Sequence, residues 1–328
     1  YVLAVACGFP AMLGFLALRF TSEGVGHTRP IMYIAVLGLV VNVLGNWIFM
    51  YGKLGAPALG AVGTGVSTAI VMWAMFGTML WYVRRARVYR PYAIFATLDR
   101  PNRARLREML GLGIPISGSV VSEGALFVAA ALLIGTLGAV EVAAHQIAIN
   151  YASFMFMVPL ALHSATTIHV GHRVGAGDPR GGRRAGFVGI AICGGLMVVS
   201  ALVIAIANRG IAGIYTDDAA VLGVAAVLLI YAGLFQVSDG LQIGAAGALR
   251  GFKDAKVPMA LNFASYWLVG FPLAYWLGIV RGHGPVGVWI GLVAGLTACA
   301  IALNLRYRHV SGHAAGVAAT KRAAGATS

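Results

Sequence analysis

Nine stretches of mostly apolar residues, each about as long as a membrane is thick, follow one another along this chain. A helix needs about 20 such residues to cross the hydrocarbon, and in lipid only helices and closed barrels satisfy their own backbone. The stretches fall at 1–20, 31–51, 60–83, 111–137, 144–170, 184–207, 219–249, 257–280 and 286–306. Their lengths suit helices, and the short alternating strands of a membrane barrel do not occur. The fold class is therefore an all-α integral membrane protein with about nine transmembrane helices. Composition agrees, because 59% hydrophobic and 10% charged residues leave too little polar surface to cover a water-soluble globule of 328 residues.

The connections are short except for 84–110, which is Arg-rich and punctuated by Pro91 and Pro101. It reads as a linker between a first lobe at 1–83 and a second at 111–309, with a polar tail at 310–328. The net charge of +14 raises the question of a nucleic-acid partner, which its placement answers. Alternating the nine spans puts 21 of the 24 Lys and Arg on one side and leaves Lys53, Arg209 and Arg281 on the other. That is the positive-inside pattern. It makes the crowded side, with the C-terminus, cytoplasmic, argues for a cell inner (cytoplasmic) membrane, and accounts for the charge without a polyanion.

Within the spans, the constraining residues are Glu123 and Asp239, each far in sequence from any basic residue. A charge at the bilayer centre costs at least about 2.5 kcal/mol, so such groups normally face a cavity and mark an ion or proton path. Desolvation favours the neutral form of a carboxylate, and two carboxylates brought together repel until a proton or cation relieves them. A structural alternative is that Ser119, Ser122 or Ser238 holds one of these acids by a hydrogen bond. Gln146, Asn150, Gln236, Gln242 and Asn262 are further candidates to line a cavity, although polar side chains also join helices to one another.

Other chemistries find little support. Cys7, Cys193 and Cys299 stand alone in apolar runs, and His163, His169 and His172 lack the surroundings of a metal site, so no structural metal or cofactor is expected. There is no phosphate-binding loop and no hydrolase or metalloprotease motif, so the chain reads neither as an enzyme nor as carrying an ATP engine. Phe154-Met155-Phe156-Met157 and Tyr266-Trp267 could present an adaptable surface to flat cations, or simply pack against helices and lipid. Gly287, Gly291 and Gly295, spaced by four, allow a close helix contact, and Pro10, Pro115, Pro159 and Pro272 are candidate kinks.

An internal repeat joins the two ends of the chain. Leu18-Arg19 followed by Pro30-Ile31-Met32 matches Leu249-Arg250 followed by Pro258-Met259, and Gly60 and Gly287 stand 30 and 29 positions after the respective prolines. The three spans before the linker thus correspond to the last three after it. If each lobe holds six helices, the chain lacks about three at its N-terminus, where Tyr1 already lies in an apolar run. Parallel repeats of this kind are a transporter architecture with the substrate path between the halves.

Four segments carry a family resemblance: Gly113-Ile114-Pro115-Ile116 through Glu123-Gly124-Ala125-Leu126-Phe127; Ala144-His145-Gln146-Ile147-Ala148-Ile149-Asn150; Val170-Gly171-His172-Arg173-Val174-Gly175; and Phe235-Gln236-Val237-Ser238-Asp239-Gly240, continuing to Asp254. Together they resemble the multidrug and toxic compound extrusion (MATE) transporters, NorM-like branch, over nearly the whole chain. The resemblance implies a two-lobe transporter of twelve helices, of which about nine are present. It further implies a secondary antiporter that exports small organic, cationic compounds for H+ or Na+ by alternating access, with no ATPase subunit. Glu123 and Asp239 match the family's acids of the seventh and tenth helices and are expected to couple the cation. Phe235 stands where some members carry Tyr, which removes one oxygen available to Na+. Two alternatives remain at this level, a lipid-linked precursor flippase of a related superfamily and an inactive truncated fragment. No residue calls for a second copy of the chain.

Overall fold

The computed structural model describes residues 2–55, 57–92, 94–95 and 102–325, with side chains to Val317. Every regular element among them is helical. Residues 96–101 of the expected linker, including Arg100 and Pro101, and the last three residues of the expected tail lie outside the described residues. The chain divides into two compact units, Tyr1–Pro101 and Asn102–Ser328.

In the first unit, α1 (Val2–Ala6) and α2 (Phe9–Gly24) share the first expected span. Cys7 and Gly8 interrupt the helix, and Pro10 stands in the first turn of α2, where its missing N–H costs nothing. Neither piece is long enough to cross a membrane alone, so eight rather than nine helices among the described residues meet the length and hydropathy of a span. Next come α3 (Arg29–Tyr51), which ends at Gly52 in the left-handed conformation that glycine tolerates, α4 (Ala61–Arg85) and a 3-10 turn at Arg87–Tyr92. Small residues bring α3 and α4 together, since a Cβ on Gly38 would stand 2.8 Å from the Met75 sulfur. The Ser22 hydroxyl, which donates to the His27 carbonyl, also meets the Tyr89 hydroxyl at 2.6 Å.

The second unit opens with α5 (Arg103–Gly135), α6 (Ala139–Gly175), α7 (Pro179–Tyr215) and α8 (Ala219–Gly251). Three of these helices start at side-chain caps. Asn102 accepts from the Ala104 N–H, Asp178 from that of Gly181 and Asp218 from that of Ala220, at 2.8 to 2.9 Å. Pro115 and Pro159 lie inside α5 and α6, while the non-helical residue of α7 is Ala207. The next span is compound: α9 (Lys256–Ala264), a π-helical stretch at Ser265–Gly270, α10 (Phe271–Tyr275) and a second π-helical stretch at Trp276–Val280. Finally, α11 (Gly284–Gly325) runs without a break into the segment read as a tail.

Packing in this unit rests on backbone approach, as lipid supplies no hydrophobic force between helices. A Cβ on Gly240 would meet the Cys193 carbonyl at 2.8 Å, and one on Gly251 would lie 2.6 Å from Val170, so α8 is seated against both α7 and α6. The expected contact of Gly287, Gly291 and Gly295 is present. A Cβ on Gly295 would stand 2.8 Å from the Gly270 Cα, and one on Gly287 2.6 Å from the Gly278 nitrogen.

Candidate functional site

Glu123 on α5 and Asp239 on α8 line one cavity of about 220 Å³. Its remaining wall is Phe127, Phe235 and a strip of α6 made of Ile149, Ala152, Ser153 and Phe156. Helical spacing explains the lining: Phe127 and Phe235 are each four residues from an acid on the same helix, and the α6 residues recur at three- and four-residue intervals. Phe235 is fixed by edge contacts to Phe127 at 5.7 Å and to Trp289 at 5.9 Å between ring centres. The cavity is thus largely aromatic and apolar, with two carboxyls and one hydroxyl facing it.

The two acids stand in unlike surroundings. Asp239 is 4% exposed, and its Oδ1 has no hydrogen-bond partner among the described residues. Glu123 is half-buried and feels the field of the Arg250 guanidinium at the far end of α8. The charge that reaches Asp239 is Glu123 itself. Both acids ionised at once would repel across a poorly solvated space, and a shared proton or a cation would relieve that repulsion.

The hydroxyls that could have held the acids each have another partner, Ser122 as an acceptor. Ser119 donates to the Pro115 carbonyl at 3.1 Å, Ser122 accepts from Trp267 Nε1 at 3.1 Å, and Ser238 meets the Thr297 hydroxyl at 2.8 Å. Ser238 therefore faces α11 rather than the cavity. Gln236 accepts from Ser200 of α7 at 2.7 Å, Gln242 donates to the Tyr266 hydroxyl, and Asn262 accepts from Cys299 Sγ at 2.9 Å. These are ties between helices. Gln146 and Asn150 are exposed and line a separate depression near the start of α8, where Asn150 accepts from Tyr215 at 3.0 Å. Of the candidates, the structure brings together Glu123, Asp239 and Phe235.

Phe127, Ile149, Ala152 and Ser153 were not singled out as lining residues, although their spacing from Glu123 and from Phe156 is the signal that could have found them. Phe156 belongs to an aromatic and Met cluster whose neighbours Phe154 and Met157 are exposed. Among the described residues no group of three or more His, Cys, Asp or Glu could hold a metal ion.

With this geometry in view, comparison with known proteins is direct. The family pattern MatE matches residues 115–276. The probable multidrug resistance protein NorM of Xanthomonas campestris pv. campestris is 44% identical over 308 residues, which cover 94% of this chain and 67% of that protein. The multidrug resistance protein PmpM of Pseudomonas aeruginosa is 42% identical over 310 residues, covering 93% of this chain and 65% of its own length. The chain thus spans about two thirds of the length of these relatives. Among solved structures, the eukaryotic MATE transporter AtDTX14 aligns with a TM-score of 0.84 at 20% identity, over 95% of this chain and 70% of that one. An outward-facing multidrug resistance MATE family transporter of the MOP superfamily aligns at 0.80 and 22% identity, over 89% of this chain and 65% of that one. At such identity the structural match speaks for the fold.

Proposed function

The chain belongs to the MATE family of multidrug efflux transporters, which are not enzymes, and from that premise we propose that it is a proton-coupled antiporter that exports organic cations. The observation that carries this reading is the cavity shared by Glu123 and Asp239, in which a buried carboxylate oxygen stands without a partner.

Size supports a division of labour. Drug-sized ligands occupy pockets of roughly 300–1,000 Å³, whereas this cavity holds about 220 Å³. It suits a proton or a small cation rather than the exported compound. Phe235 presents a ring where a hydroxyl would have added an oxygen ligand, and this favours the proton over Na+.

The coupling follows from differential affinity. With both carboxyls ionised their repulsion raises the free energy of the closed cavity, and protonation of Asp239 removes it. A conformational equilibrium moves only by the difference in ligand affinity between its states, so protonation from outside biases the protein toward drug release there. Drug arriving from the inside favours proton loss in return. The positive-inside distribution of 21 of 24 basic residues supports an inner-membrane location with the C-terminus in the cytoplasm.

The experiment is drug efflux by the complete polypeptide in cells lacking other exporters, under imposed pH or Na+ gradients. Efflux driven by a pH gradient and lost in Glu123→Gln and Asp239→Asn is the expected result. Full activity in both variants would sink the assignment, and efflux that follows only the Na+ gradient would replace the proton with Na+.

A further inference from the structure

A cluster of basic side chains in the second unit lies away from the coupling cavity, at the start of α7. Arg180, Arg183 and Arg184 occupy its first two turns, and among the described residues none of the three makes an ion pair. They form a ridge between two surface cavities. One, of about 630 Å³ between α7 and α11, has Phe187 and Gly312 in its wall. The other, of about 480 Å³ between α6 and α7, adds Arg173 and ends on Val188. Asp178 is the acid at this ridge, and it is engaged by Arg173 at 3.3 Å and by the Gly181 N–H at 2.9 Å. Arg183 lies over the Phe187 ring at 5.8 Å, which holds its guanidinium in place.

A second observation concerns what lies below the ridge. From Arg184 onward, Val188, Ile192, Leu196, Val199 and Val203 recur at three- or four-residue intervals along the same face of α7, and all are exposed. A cluster of guanidinium groups at one end of a continuous apolar strip complements an anionic amphiphile, with phosphate on the arginines and acyl chain along the strip. A soluble phosphate would use the first part alone, whereas a lipid seated at the arginines uses both.

We propose that the α7 ridge is a binding site for an anionic phospholipid, held by its headgroup phosphate between Arg180, Arg183 and Arg184 and by a chain along Val188 to Val203. The site is independent of the coupling chemistry at Glu123 and Asp239. The arginines read phosphate charge and geometry, so a zwitterionic lipid, whose ammonium or choline group meets the same guanidinium cluster, is held less well.

The test is native mass spectrometry of the purified complete polypeptide with phosphatidylglycerol, with phosphatidylcholine and with inorganic phosphate as competitor. The variants are Arg180→Gln/Arg184→Gln, exposed and in the first turns of a capped helix, and Arg84→Gln/Arg85→Gln as a basic pair on another helix. Wild type should retain phosphatidylglycerol in preference to phosphatidylcholine. The α7 variant should lose that retention by about thirtyfold, given about 1 kcal/mol for each of the two basic residues near an anionic headgroup, while the α4 variant keeps it and millimolar phosphate does not displace the lipid. Equal retention in the α7 variant, equal loss in the α4 variant, or displacement by phosphate would each overturn the proposal, the last by making the ridge a plain anion site.

Discussion

Helices α3 and α8 are both long and apolar, yet they are built for different neighbours. Four of the 23 residues of α3 are buried, and apolar side chains such as Leu39, Val43 and Trp47 face outward, which suits lipid. Nineteen of the 33 residues of α8 are buried, among them Asp239, Gln236 and Gln242, and its glycines are seated on the backbones of α6 and α7. Among the described residues, little protein surrounds the outward face of α3 to replace water around a carboxylate. On α8 it is enclosed by protein and opens to a small cavity that it shares with a second acid. The lesson is that the tightly packed helix carries the chemistry because close packing is what makes a buried charge tolerable.

The contrast between acids of the two units yields the largest expected effect. Asp239→Asn should reduce gradient-driven efflux to background while leaving membrane insertion unchanged, as read by drug accumulation and by membrane-fraction blotting. A second comparison sets a glycine in the packed unit against one in the first. Gly295→Val forces a side chain onto Gly270 and should lower stability by about 1–3 kcal/mol, whereas Gly77→Ala on α4 meets nothing within 4 Å and should raise stability by up to about 1 kcal/mol. Thermal unfolding in detergent, followed by size-exclusion chromatography, separates the two. If both glycines behave alike, close backbone approach is not what holds the second unit together.

A smaller effect is expected from Ser122→Ala, which takes away the partner of Trp267 Nε1. Interhelical hydrogen bonds of this kind average about 0.6 kcal/mol, so the unfolding midpoint should move little. Efflux and its pH profile should stay close to wild type, because the bond joins two helices and neither Ser122 nor Trp267 lines the cavity. The smallest effect should come from Glu23→Gln on α2. This carboxylate, 12% exposed, sits 2.7 Å from the more exposed Arg19 one turn away on the same helix, and i,i+4 pairs open to solvent on one side contribute about 0–1 kcal/mol. Efflux within about twofold of wild type is expected from so weak an interaction.

Much of the fold was legible because apolar length is a direct physical demand of the bilayer. Eight spans follow from it, and the contact of α11 with α10 and its flanking π-helical stretches follows from three glycines spaced by four. The first span was harder, because Cys7 and Gly8 break a run whose hydropathy gives no warning. The π-helical stretches at 265–270 and 276–280, where Gly270 and Gly278 lie against α11, also left no trace in the periodicity. Glu123 and Asp239 stand out in any reading of charge against apolar background. That they line one cavity depends on the rotation of α5 and α8 across 116 residues of sequence, which no local pattern encodes. The same limit explains Ser238, Gln236 and Gln242: adjacent to Asp239 in sequence, each turns to a different helix.

Proton release on drug binding would test the central claim most directly. The purified complete polypeptide, in weakly buffered detergent with a pH-indicator dye, is mixed with a cationic drug that binds it. The account predicts release of protons by the wild type and its loss in Asp239→Asn and Glu123→Gln, with the drug still bound. Binding without proton release in the wild type, or undiminished release in both variants, would contradict it.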